Sequence, residues 1–287
     1  MTTPLSCYST ALVDHLGPGA ADRLADAVHL WVRTDAPDGT LAFSHHDRID
    51  PGLAYADAED WTTASRALGE QLARYASVIV VGNAFHLPWS PHHDERPVAH
   101  WFLLRGRRDD AWDVTDGFTA LMPGGEQRPF EGTLGDAELC RAMTPLGRQA
   151  PHLHHRDVYA LGVPTHVGDP DRYRWLRPAG GAETDWSGEW LRELPEVLEA
   201  LRDRFVRDEQ ALHQHADDLW AAARHHEHAL TRHGDPEAAA AWAQLPKALR
   251  FASESARRGR HRGGVVAEAF DTLIELTTRT VERHDQP

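Results

Sequence analysis

Between Ser77 and Gly82 the chain reads SVIVVG, a continuous β-branched run closed by a glycine, which is the pattern of a buried strand. Val98 to Arg105 and Ala111 to Asp116 follow as two further strands, joined by the charged turn Gly106 to Asp110 into a hairpin. Setting His100 opposite Asp116 puts Leu104 opposite Trp112 and Arg105 opposite Ala111, with the turn around Arg108. Side chains alternate along a strand. His100, Phe102 and Leu104 then share a face with Trp112, Val114 and Asp116, and Asp113 points to the other. Opposed residues have Cβ atoms roughly 5 Å apart, close enough for a carboxylate to orient an imidazole. Such a pair needs only a nucleophile.

The helical periods come next. Tyr8, Leu12, Val13 and Leu16 stripe a helix from Cys7 to Leu16, with Ser6 as its N-cap and Gly17-Pro18 as its stop. Ala20 to Trp31 and Trp61 to Ala76 read as two more helices, Thr40 to Ser44 as a short strand, and Phe118 to Phe130, rich in Gly and Pro, as a loop beside Asp116. Asp136 to Met143 is a helix carrying Cys140, which reads as core. From Trp186 onward the pattern is helical almost throughout. Its stripes are Val197, Leu198, Leu201 and Phe205, then Leu212, Ala216, Leu219, Trp220 and Ala223, a capped start at Asp235-Pro236, and last Val266, Phe270, Leu273 and Ile274.

Composition narrows the chemistry. The chain has 287 residues, a formal net charge of -14 and two cysteines. That charge argues against a general nucleic-acid binder, which needs a basic face. Two cysteines are too few for a disulfide framework or a cysteine zinc site. No window approaches the apolar length of a membrane span, and Met1 to Thr10 lacks the regions of a signal peptide, so the expectation is a cytoplasmic protein. Cys7 sits in the first turn of its helix, where backbone N–H groups and the helix dipole favour a thiolate. A lone cysteine is otherwise a small buried residue. His100 and Asp116 downstream decide for the nucleophile.

A nucleophilic Cys at a helix start near the N-terminus, then a strand-borne His and an Asp on the next strand, resembles the papain-like cysteine enzymes. The segments VVGNAFHLPW, AHWFLLRG and WDVTDGF more closely resemble the butirosin biosynthesis protein H N-terminal domain family of papain-like acyltransferases. That resemblance implies Cys7 as nucleophile, His100 as its base and Asp116 as the group that orients His100. It also implies Asn83, His86 and Trp89 as substrate contacts. Two departures stand out. Met1 to Ser6 contains no Gln to complete an oxyanion hole, leaving the Cys7 N–H as one donor with the second unassigned, and Asn83 stands where that family has an Asp.

The expected architecture is therefore α+β: a papain-like domain over residues 1–135, with an antiparallel sheet and an N-terminal nucleophile helix, and a helical region or lid over 136–287. The expected activity is acyl or aminoacyl transfer from a carrier-protein thioester, through a Cys7 thioester, to an amine or hydroxyl of a small molecule in natural-product biosynthesis. Hydrolysis by the same residues and a non-catalytic binding module are the alternatives. No cofactor is expected beyond a phosphopantetheine-linked acyl donor. His45, His46 and His86 read as surface or site-lining. His152, His154, His155, His213, His215, His225, His226 and His228 read as solvated helix faces rather than metal ligands, since no ligand spacing surrounds them. Arg257, Arg258, Arg260, His261 and Arg262 are the densest basic cluster. It reads as a solvated helix end, with docking of an acidic acyl carrier protein through Arg257, Arg258 and Arg260 as its functional alternative.

Overall fold

The computed structural model describes residues 5–122, 125–180, 186–260 and 262–284. In chain order the elements are α1 (Cys7–Leu16), α2 (Ala20–Ala27), β1 (Val28–Arg33), β2 (Ala42–His46), β3 (Leu53–Ala58), α3 (Trp61–Leu72) and β4 (Val78–Asn83). A 3-10 turn at Ala84–His86 leads to β5 (Ala99–Arg108), β6 (Ala111–Asp116), β7 (Ala120–Met122), β8 (Gly125–Gln127) and β9 (Phe130–Gly135). There follow α4 (Asp136–Ala142), α5 (Pro151–Tyr159), β10 (Tyr173–Pro178), β11 (Trp190–Leu191), α6 (Leu194–Arg207) and α7 (Glu209–His233). The last helices are α8 (Pro236–Trp242), α9 (Leu245–Ala256) and α10 (Gly263–His284). The class is mixed α+β with antiparallel sheets.

The chain divides into two compact units, and the division is not the expected cut at 135/136. Among the described residues, one unit takes 5–21 together with the described part of 48–186, and the other takes 22–47 together with the described residues from 187 to 284. Strand pairing is the reason. β10, far beyond residue 135, pairs with β3 along its full length and also with β4, so the sheet cannot close without it.

The first unit is built on a six-stranded sheet of order β3-β10-β4-β5-β6-β9. Its central strands are buried on both faces, which accounts for the unbroken apolar run in β4. Val78, Val80, Phe102, Leu104, Trp112 and Val114 face Ala64 and Leu68 of α3 and Leu139 of α4. Ile79, Val81, Trp101 and Leu103 face Ala11 and Leu12 of α1 on the other side. The loop expected over 118–130 contains the small β7–β8 hairpin.

The second unit packs α6 to α10 against the three-stranded sheet β11-β1-β2. The helix expected over Ala20 to Trp31 stops at Ala27, and Val28–Arg33 is a strand. Tertiary context decides it: Leu30 and Val32, two apart, are 2% and 1% exposed in the core of this unit, and β1 pairs with β2. The apolar stripes of α6, α7 and α10 face the same core, with Val197, Leu198, Leu201, Phe205, Leu219 and Phe270 fully buried.

The histidines of α7 correct another expectation. His213 is exposed, but His215, His225, His226 and His228 are buried. They lie inside because α7 is a central helix, and His215 and His225 find hydrogen-bond partners there while His226 packs through its ring. His215 Nδ1 pairs with Asp218 Oδ2 at 3.0 Å, the backbone N–H of Leu41 donates to His215 Nε2, and His225 Nδ1 meets the Ala221 carbonyl at 2.6 Å. The His45 and His225 rings stack at 5.4 Å, and His226 lies flat on Trp242 at 4.0 Å. Among the described residues no group of three or more His, Cys, Asp or Glu is arranged to hold a metal, and no helix is long and apolar enough to cross a membrane.

Burial first, then neighbouring histidines, push His29 and His226 down to about 3. A histidine held neutral when folded takes up a proton on unfolding, so its contribution to stability is complete above about 6.5 and is lost as pH falls from there toward 3. Each such group contributes a slope of about 1.4 kcal/mol per pH unit in that window. His226 Nε2 is buried with no hydrogen-bond partner among the described residues. His226→Phe keeps the stack on Trp242 and removes the titration. Denaturant melts between pH 4 and 7 should show the variant losing stability on acidification less steeply than wild type, by about that slope.

Candidate active site

Cys7 is the first residue of α1. Ser6 caps the helix, its hydroxyl accepting from the Ser9 N–H at 3.2 Å, and Gly17, at φ +72°, ends it with its N–H on the Val13 carbonyl. The thiol is therefore half-buried in a helix first turn, as the sequence predicts. His100 and Asp116, at 5% and 3% exposure, are buried polar groups near the ends of β5 and β6. His100 Nε2 and Asp116 Oδ2 are 2.6 Å apart, and Cys7 lies near enough to His100 to help raise its proton affinity. With Nε2 committed to the carboxylate, Nδ1 is the nitrogen left to face the thiol.

The hairpin reaches this arrangement by a different register from the one expected. Leu103 pairs with Thr115 and Leu104 with Val114, a bulge intervenes at Arg105, and Arg108 pairs with Ala111 across the turn Asp109-Asp110. Asp109, at φ +52°, makes that turn tight and carries β5 three residues further than expected. On the site side of the bulge the pairing has slipped by two residues, which preserves the face of every side chain. His100 lies opposite Gly82 of β4, Asp116 opposite Phe130 of β9, and the two meet on the diagonal rather than directly across. Parity holds: Trp112, Val114 and Asp116 are buried, while Asp113 pairs outward with Arg108 at 2.7 Å.

Asp116 is held by more than His100. Oδ2 also accepts from Trp89 Nε1 at 2.7 Å and Gln127 Nε2 at 3.5 Å, and Oδ1 accepts from the Phe118 N–H at 3.0 Å. Trp89 is fixed in turn by a parallel stack on Phe130 at 4.0 Å, and the Phe118 ring lies 5.8 Å from His100. Burial alone would lower the affinity of His100 for its proton. The Asp116 charge and hydrogen bond, together with Cys7, outweigh it and push His100 up to about 10.

The other candidate residues part company. Asn83 is buried with both polar ends engaged, its Oδ1 accepting from the Phe85 N–H and its Nδ2 reaching the Thr144 carbonyl. It is the cap of the 3-10 turn. His86 and Trp89 line a cleft of about 290 Å³ with His93, Glu138 and Arg141. No triad residue lines that cleft, and Trp89 alone links it to Asp116. Cys140 makes its side-chain contact with the Tyr173 hydroxyl at 3.5 Å. Arg257, Arg258 and Arg260 are exposed at the end of α9, in the second unit, and His261 lies outside the described residues.

No protein-family model matches the chain, and no curated protein is significantly similar to it. The chemistry is therefore read from the geometry. A thiol at a helix N-terminus, a histidine near it and a carboxylate on the far side of the ring can hold the sulfur's proton and deliver it to a leaving group.

His100 NMR titration tests the relay. Because its proton affinity is raised, the imidazolium and the stability it contributes persist below about 6.5 and are lost as pH rises through about 10. Asp116→Asn removes the counter-charge and leaves the burial, so His100 should titrate at least several units lower. Asp113→Asn should leave it in place. The reverse ranking would show that Asp113 faces His100.

Proposed function

We propose that the protein is a papain-like cysteine acyltransferase, with the Cys7–His100–Asp116 relay as its catalytic group. The observation that carries this is the buried His100, with Cys7 near enough to raise its proton affinity and the buried Asp116 carboxylate 2.6 Å from its Nε2. In the first step the Cys7 proton is already held on His100, whose proton affinity is raised, and Sγ attacks the carbonyl carbon of a thioester. The Cys7 N–H, at the open end of α1, is one donor to the developing oxyanion. The carbonyl re-forms, the donor's C–S bond breaks, and His100 returns the proton to the departing thiol. An acyl group is left on Cys7. In the second step His100 takes a proton from an amine or hydroxyl, that atom attacks the acyl carbon, and Sγ leaves with the proton from His100. A buried His–Asp pair supports both steps, because the imidazolium is stabilised each time it forms.

With water in the acceptor's place, the same relay is a hydrolase, and the tests separate the two. Intact-mass measurement after incubation with acyl-carrier or small acyl thioesters should show one acyl adduct on wild type and on Cys140→Ala, and none on Cys7→Ala. Decay of the adduct that is slow in buffer and fast with an amine acceptor supports transfer. Rapid decay in buffer alone identifies a hydrolase, and an adduct that survives in Cys7→Ala overturns the assignment.

A carrier protein as donor fits the exposed cluster at Arg257, Arg258 and Arg260. The chain's net charge of -14 repels an acidic carrier, so only a local basic patch can reverse the sign. Exposed ion pairs are each worth at most about 1 kcal/mol and are screened over about 8 Å at physiological salt. Replacing all three by Ala should weaken carrier binding by roughly one to two orders of magnitude and flatten its salt dependence. Equal affinity and slope in the two proteins would exclude the cluster as the docking patch.

A further inference from the structure

We propose that Tyr8 and Asp157 form a positioning couple for Cys7, locking the first turn of α1 to a buried ion pair outside the triad. The inference rests on the reading of Cys7 as the nucleophile. Tyr8 is the residue after Cys7, and its hydroxyl donates to Asp157 Oδ1 at 3.1 Å. Arg174 Nη2 donates to the other oxygen of the same carboxylate at 3.1 Å, and the Tyr55 hydroxyl donates to the Asp157 carbonyl at 2.8 Å. The Asp157 and Arg174 side chains are 3% and 5% exposed. Arg174 is part of β10, paired with both β3 and β4, so the network is anchored in the middle of the sheet.

The network also reaches the base. Trp101 follows His100 on β5, and the Tyr8 ring meets it edge-on at 4.9 Å. The residues that follow nucleophile and base in the chain are thus packed on each other. Any shift of α1 that separates Cys7 from His100 has to break this contact or the Tyr8–Asp157 hydrogen bond. Reacting groups need placing to within about 0.5 Å, and a helix cap alone leaves α1 free to slide along its axis.

Stability does not account for these residues. A buried ion pair carries a desolvation penalty that its own attraction roughly cancels, and apolar residues of the same shape would fill the space as well. A directional hydrogen bond to a fixed carboxylate does supply position. Burial first, then Asp157 and Cys7, push the Tyr8 phenol up, so it stays protonated and donates. Burial also pushes Asp157 up, opposed by Arg174, with His154 and Arg156 of α5 as the other nearby charges.

The test is the rate of Cys7 alkylation by iodoacetamide between pH 5 and 10, mapped by peptide mass, for wild type, Tyr8→Phe, Asp157→Asn and His100→Ala. Alkylation reports on the Cys7–His100 pair without any assumption about the acyl substrate. Tyr8→Phe and Asp157→Asn should each lower the rate near pH 6.5 at least tenfold and move the pH profile toward that of His100→Ala. A residue that only stabilises the fold would lower the melting temperature and leave the profile in place. Tyr8→Phe removes one oxygen and carries the test if Asp157→Asn fails to fold. Profiles within twofold of wild type in a folded Tyr8→Phe overturn the couple while leaving the nucleophile reading intact. A wild-type profile equal to that of His100→Ala overturns the nucleophile reading, and the couple with it.

Discussion

One buried carboxylate organises the first unit. Asp116 is 3% exposed, and a charge so placed is tolerated only where donors surround it. The donors come from four separate segments: His100 from β5, Trp89 after the 3-10 turn, the Phe118 backbone just past β6, and Gln127 from β8. Each is individually a short-range contact. Together they fix where a loop, a small hairpin and two strand ends must sit, and the imidazole is left with a single orientation. The bulge at Arg105 belongs to the same constraint, since it reconciles a tight Asp109-Asp110 turn with the pairing that brings Asp116 diagonal to His100.

The parts of this site legible in the sequence are those set by local rules. Ser6 as a cap, Gly17 as a stop and the alternation along β6 follow from backbone geometry within a few residues. Those rules put Cys7, His100 and Asp116 in the right elements and on the right faces. Register was not legible, because it depends on whether a bulge is present, and nothing in LLRGRRDD marks Arg105 as the bulged residue. The slip of two did no harm, as the period of a strand is two. Gln127 and the anchoring role of Trp89 were invisible for another reason. Both act through contacts between distant segments, and a Gln in a Gly- and Pro-rich stretch carries no pattern.

The second unit shows the same limit from the other side. A histidine-rich helix reads as solvated because imidazole is polar, yet α7 turns His215, His225 and His226 inward. What overrides polarity is that a neutral imidazole is also a flat ring with one donor and one acceptor. His226 uses the ring on Trp242, and His215 uses both nitrogens, on Asp218 and on the Leu41 N–H. The Ala20–Trp31 helix failed in a related way, since Leu30 and Val32 satisfy a helical stripe and a strand equally until β2 is there to pair with.

The place of β10 in the sheet sets an order on assembly. A ribosome makes α1, with Cys7 in it, before the strands of the sheet, and makes β3, β4, β5 and β6 well before Tyr173–Pro178. Yet β10 lies between β3 and β4, and it carries the Arg174 that meets Asp157. Until it emerges, β3 has no sheet to join and β4 exposes an apolar edge along its length. Pairings of such long sequence separation are slow to form and leave unpaired edges open to aggregation meanwhile. Cys7 is thus made well before the sheet beneath it can be completed, so a nascent or truncated chain that lacks β10 carries the thiol on an unfinished sheet.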